Sequence, residues 1–169
     1  MTNIQNTTET LIGKKVNGID LFTAEMSGNH WIGYFNCSNN NLTSLEGAPS
    51  SVSGYFDCSH NKLTSLEGAP SSVSGIGGDF DCSRNNLTSL HDIHKIVKKI
   101  NGSVWAENNP IASCVLGVLL IEGCRRLVID NHKVEDVVNK YLPNTRGFST
   151  VIECQSELLD AGFDEYAKF

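Results

Sequence analysis

"YFNCSNNNLTSLEGAPSSVSG" spans 34–54, "YFDCSHNKLTSLEGAPSSVSG" follows at 55–75, and "DFDCSRNNLTSL" begins again at 79. The shared pattern is F-x-C-S-x-N-x-L-T-S-L, followed twice by E-G-A-P-S-S-V. Cys37 and Cys58 are 21 residues apart, and Cys58 and Cys82 are 24 apart; "GIGG" at 75–78 takes up the difference. A fourth, degenerate copy reads "VWAENNPIASC" from Val104, with Ala106 at the cysteine position, Asn109 at the asparagine, and Ile111 and Cys114 at the leucines. "RLVID" supplies a fifth strand, in which Ile129 follows Ala106 by 23 residues and His132 stands where the asparagine would be. Upstream of each strand, Trp31, Val52, Val73 and Ile100 align. A fixed period of this length marks a repeat architecture.

The period dictates the packing. Each copy holds a short strand whose alternate side chains point inward. One copy cannot bury its Phe, Cys and two leucines, but stacked copies make a continuous core. Asparagine recurs because its amide both donates and accepts, answering backbone groups left over where strand becomes loop. Pro49 and Pro70 favour an extended return, and 21 residues leave no room for a full helix there. The repeated cysteines are therefore read as small apolar residues in file, about 4.8 Å apart.

This pattern resembles the leucine-rich repeat. Trp31, Val52 and Val73 match its first leucine, Phe35, Phe56 and Phe80 the second, and Cys37, Cys58 and Cys82 the third. Asn40, Asn61 and Asn85 match its asparagine, with Leu42/Leu45, Leu63/Leu66 and Leu87/Leu90 after it. The expected fold is an α/β solenoid: a short leucine-rich-repeat curved parallel β-sheet with a helical C-terminal cap. It divides into an N-terminal cap over 1–30, four to five repeats over 31–130, and the helical cap over 131–169.

In the first of these parts, Val16, Ile19, Leu21 and Phe22 are candidates to cover the first coil. Ile93, Ile96, Val97 and Ile100 stand at helical spacing, and "ASCVLGVLLIEG" reads as a second, mostly buried helix. Val134, Val137, Val138 and Leu142 line one side of a third helix. Val151, Ile152, Cys154, Leu158 and Leu159 line the last, with Ser149 as its N-cap. "NPIASCVLGVLLIEG", "VVNKYLP" and "IECQSELLDAGFDEYAKF" together resemble the C-terminal part of leucine-rich-repeat proteins encoded by tailed bacteriophages. That resemblance implies a fold and a viral origin but no catalytic motif.

Composition narrows the function. The net charge of −6 offers no basic footprint for nucleic acid or for an anionic membrane. "MTNIQNTTET" is polar, and the apolar run "CVLGVLLI" is too short to span a bilayer, so a cytoplasmic chain with reduced thiols is expected (host cytoplasm, if viral). No cofactor is expected.

The residues between the inward ones form the candidate site. Tyr34, Tyr55 and Asp79 make one column, Asn36, Asp57, Asp81 and Trp105 a second, and Ser38, Ser59, Ser83 and Glu107 a third, bordered by Asn39, His60 and Arg84. Outward aromatics on a rigid sheet are what binding hot spots use. Asp57 and Asp81 on neighbouring strands repel, and a basic partner surface would turn that into attraction. The expected function is non-enzymatic protein binding through Tyr34, Tyr55, Asp57, His60, Asp79, Asp81, Arg84, Trp105 and Glu107. The phage resemblance points to a host protein, such as an antiviral defence factor, as the target.

Other chemistry fares worse. Calcium wants six to eight oxygens, more than Asp57, Asp79 and Asp81 supply. His91 and His94 with Cys82 and Cys114 are a zinc combination in type but not in spacing. Cys124, followed by Arg125 and Arg126, is the one cysteine in a cationic environment, and those arginines would lower its pKa. Bacterial effectors join similar repeats to a cysteine-dependent ubiquitin-ligase domain, but the residues after Cys124 are too few for one. A virion or self-assembling role is the other alternative.

Overall fold

The computed structural model describes residues 30–142 and 147–169, together with the backbone of four short strands between 9 and 27. These are β1 (Glu9–Thr10), β2 (Lys15–Val16), β3 (Ile19–Asp20) and β4 (Glu25–Ser27). β2 and β3 pair antiparallel, and β4 pairs antiparallel with both β1 and β5 (His30–Trp31). The side chains of Val16, Ile19, Leu21 and Phe22 lie outside the described residues.

From β5 onward the chain winds as a solenoid of about four turns. Each turn carries two short strands. The first ladder is β5, β7 (Ser51–Val52), β9 (Ser72–Val73) and β11 (Lys99–Ile100), all parallel. The second is β6 (Phe35–Asn36), β8 (Phe56–Asp57), β10 (Phe80–Asp81), β12 (Ser103–Trp105) and β13 (Arg126–Val128), again parallel. The register follows the repeat: Phe35 faces Phe56, Phe56 faces Phe80, Phe80 faces Val104, and Val104 faces Leu127. The upstream positions Trp31, Val52, Val73 and Ile100 thus form a ladder of their own.

Between the ladders lie Trp31, the phenylalanines, the cysteines and the leucine pairs, all buried. Phe35 and Phe56 stack at 5.5 Å, Phe56 and Phe80 at 5.2 Å, and Trp31 meets Phe35 edge-on. Cys37, Cys58, Cys82 and Ala106 run beside them, each 0–1% exposed. The cysteines lie in file, as a packing role requires.

The asparagines tie the turns together. Asn61 Oδ1 accepts from the amides of Asn40 (3.0 Å) and Leu42 (2.9 Å) one turn back. Its Nδ2 donates to the carbonyls of Cys37 and Cys58, both at 3.0 Å. Asn85 repeats this with Leu63, Cys58 and Cys82, and Asn109 with Leu87, Cys82 and Ala106. The amides are buried, so each bond replaces one that water cannot make.

Beyond Leu90 the expected helices change. The first, α1, covers only Ile93–Ile96, because Lys99 and Ile100 are drawn into the first ladder. "CVLGVLLI" forms a 3-10 segment, Leu116–Leu120, in place of an α-helix. Ser113 is bridged to Ser89 and Glu122 to Lys99, so the chain must return within a single turn of the solenoid. A Cβ on Gly117 would lie 3.1 Å from the Leu90 carbonyl oxygen, which shows how closely the segment is pressed down. At the two expected leucine positions Ile111 and Cys114 are only partly buried, and Val115 and Leu116 fill the core.

Two longer helices close the end. α2 (His132–Tyr141) buries Val134, Val137 and Val138, as the pattern predicts, with Leu142 buried just beyond, and Asn131 caps its start by accepting from the Val134 amide. It also replaces the next strand. Asn139 accepts from the Leu127 amide and donates to the Leu127 carbonyl, both at 2.8 Å, and Glu135 accepts from the Ile129 amide. α3 (Phe148–Asp160) buries Thr150, Val151, Cys154 and Leu158. Ile152 and Leu159, expected inside, are exposed, since they fall round the helix from the 151-154-158 stripe. Gly147 holds the N-cap position instead of Ser149, with no side-chain cap bond. The tail then returns to the fourth turn: Cys114 and Val115 amides donate to the carbonyls of Glu165 and Tyr166, and the Tyr166 hydroxyl donates to the Ile111 carbonyl.

Asn61→Ala strands the Asn40 and Leu42 amides and the Cys37 carbonyl, while the Cys58 carbonyl keeps its bond from Asn85. Urea unfolding should show a loss of about 3 kcal/mol, against about 1 kcal/mol for Asn40→Ala in the half-buried first turn.

Candidate functional site

The outward side of the second ladder presents one residue per turn at each register position. Asn36, Asp57, Asp81 and Trp105 are aligned neighbours across β6, β8, β10 and β12. Tyr34 and Tyr55 precede them and stack with ring centroids 5.1 Å apart, inclined by 23°. Each tyrosine reaches diagonally into the next turn. Tyr34 Oη donates to Asp57 Oδ2 at 3.1 Å, and Tyr55 Oη donates to Asp81 Oδ2 at 2.9 Å. The other oxygen of each carboxylate accepts from the backbone amide two residues on: Ser59 for Asp57 at 2.9 Å, Ser83 for Asp81 at 2.8 Å. Asn36 makes the same bond to Ser38.

The two aspartates are therefore held in fixed orientation. Three fixed dihedral choices (Tyr, Asp and the following turn) support one another, so little side-chain entropy remains to be lost on binding. Partial burial raises the Tyr34 pKa to about 12, with the Asp57 charge reinforcing it. Burial, then the Asp81 charge, raises that of Tyr55 further. Both phenols remain hydrogen-bond donors throughout the neutral range. Each carboxylate keeps lone pairs beyond its two bonds, so the pair can still receive a cation.

The remaining candidates are placed around this centre. Trp105 is half-buried at the column's end. His60 and Arg84 are exposed in left-handed backbone, φ 53° and 54°, on the turns that follow β8 and β10. Arg84 N–H donates to the carbonyl of Glu107. Asp79 precedes Phe80 as Tyr55 precedes Phe56, but its Oδ1 accepts from the Ser103 amide at 2.6 Å, which commits it to the fold. The exposed Ile32 and Ile76, on the corners that lead to Tyr34 and Asp79, escaped the sequence reasoning. Ile76 had a signal: it is the apolar residue of the "GIGG" insertion that breaks the period.

The four residues of the zinc combination lie apart. Cys82 is fully buried and its thiol donates to the Trp105 carbonyl, while Cys114 lies with His91 and His94 near the tail, so the four do not assemble. Among the described residues no three His, Cys, Asp or Glu side chains are grouped to hold a metal ion. The expectation of an activated Cys124 fails. That thiol is 5% exposed, burial pushes its pKa up to about 12, and the Arg126 guanidinium turns to Glu135. No helix among the described residues is long and apolar enough to cross a membrane. No family model, curated protein or solved structure matches the chain.

The cysteines give a test of the interior. All six are free, and Cys114 alone is not buried. A thiol reagent at pH 7.5 should label one cysteine in the native protein and six after unfolding. Burial raises the pKa of Cys37 to about 12 and those of Cys58 and Cys82 also upward from 9.0. The unfolded chain releases these protons first, so stability is intact below pH 9 and falls as the pH rises above it. Each buried thiol removes about 1.4 kcal/mol per pH unit. Alkaline unfolding followed by circular dichroism should therefore steepen above pH 9, and replacing Cys58 by alanine should reduce the slope.

Proposed function

We propose that the chain is a non-enzymatic leucine-rich-repeat binding protein of the kind tailed bacteriophages encode, capturing a host protein through the outward face of its second ladder. One observation carries the reading: Tyr34 and Tyr55 stack in solvent-accessible positions and lock Asp57 and Asp81 in a row with Trp105. A merely solvated surface has no use for rigid aromatics and oriented carboxylates standing side by side. Aromatic side chains supply contact area at low entropy cost, and the acid row selects a partner with a basic surface through charge complementarity. A phage product acting in the host cytoplasm would blunt its target, for instance an antiviral defence factor, by occupying that basic surface.

The test must leave the fold intact. Asp57→Asn and Asp81→Asn keep an acceptor for the Ser59 and Ser83 amides while removing charge. Combined with Trp105→Ala, they should weaken recovery of the partner from bacterial lysate, read by mass spectrometry, at least about tenfold. The thermal midpoint should move by less than about 5 °C. Undiminished recovery by the triple variant would remove this face from consideration.

A further inference from the structure

The corner between the two ladders carries a feature the repeat does not require. After the first-ladder strand the corner residue is Ile32 in the first turn, and Ser53 and Ser74 in the next two. Ile32 is 61% exposed, and Ile76 in the third turn is fully exposed. Ile76 rides on a closed turn: the Gly78 amide donates to the Gly75 carbonyl and the Asp79 amide to that of Gly77, each at 2.8 Å. Gly77 at φ +66° permits that tight geometry.

Ile32 and the Ile76 turn stand two rungs apart, about 9.6 Å along the stack. Between them lies the second-turn corner, Ser53 and Gly54, which has almost no side-chain bulk. The Ser53 hydroxyl is occupied by the Gly33 amide at 2.8 Å. Gly54 can be nothing larger, because a Cβ there would fall 2.5 Å from the Gly33 carbonyl carbon. The stacked Tyr34 and Tyr55 adjoin this floor and lead on to Asp57 and Asp81. Two apolar walls, a small floor and an aromatic flank thus open onto an acidic row.

We propose that this corner is a saddle that seats one bulky apolar side chain of the partner, whose arginine or lysine residues then lie over Asp57 and Asp81. The inference rests on the binding-face reading above and adds the partner's chemistry: an extended basic segment with an apolar anchor. Charge selects this occupant over a second copy of the chain. The protein carries a net charge of −6, and two copies meeting here would set aspartate against aspartate. Exposed aliphatic groups fixed on a tight turn are anchors that lose little freedom when covered.

Protein labelled with carbon-13 at isoleucine δ-methyls, titrated with the peptide GSLGRGRSG, tests this. The Ile32 and Ile76 methyls should shift together, and the Ile152 methyl on α3 should stay put. Ile76→Asp, or serine in place of the peptide's leucine, should weaken binding about tenfold, whereas Ile152→Asp should not. If the Trp105 indole signal moves while both methyls stay still, the saddle is overturned and the binding face stands. No movement at either place overturns both. Methyl shifts that follow protein concentration without peptide would assign the saddle to self-association and refute the basic segment.

Discussion

Each junction between the first four turns of this solenoid leaves backbone amides and carbonyls pointing into a space that must stay dry, and one asparagine per junction answers them. Asn61, Asn85 and Asn109 each accept from an amide in the preceding turn and donate to carbonyls in both turns. A leucine in that place would bury several unpaired groups, each costing about 1–3 kcal/mol. The bonds also fix the spacing, since an amide can reach both carbonyls only if the turns stay one strand apart. The phenylalanine stack and the cysteine file inherit their register from this constraint, and so does the outward face.

A stack of parallel strands has open edges, and edges invite further pairing. Here α2 closes the later one. Asn139 makes both bonds to Leu127 that a following strand would make, and Glu135 takes the Ile129 amide. Glu135 is 6% exposed, and the Arg126 guanidinium balances its charge. The tail then bonds back to the fourth turn at Cys114 and Val115, so the helical end is held at two places. This closure leaves the later strand edge paired by side chains of α2.

The solenoid was legible because its signal repeats. Three near-identical copies reveal which positions face inward, and the periodicity extends to Val104 and Leu127 in copies that share little sequence. The cysteines resolve the same way, as members of a column. What failed was local. Ile100 carried two signals, a helical spacing over 93–100 and an alignment with Val73, and the pairing with Val73 won, because tertiary pairing overrides a weak helical pattern. Asn139 and Glu135 read as the polar side of a helix, and nothing nearby in sequence marks the strand edge they cap. Within the candidate face the columns could be written down in advance, but the diagonal Tyr-to-Asp bonds could not, nor the loss of Asp79 to the Ser103 amide.

The central claim is that buried asparagines hold successive turns in register, and amide hydrogen exchange at Leu42, Leu63 and Leu87 tests it most directly. These three amides donate to Asn61, Asn85 and Asn109. All three should be strongly protected, and replacing Asn85 by alanine should release Leu63 while leaving Leu87 far less affected. Fast exchange at all three in the unmodified protein, or unchanged protection of Leu63 after the replacement, would contradict the account.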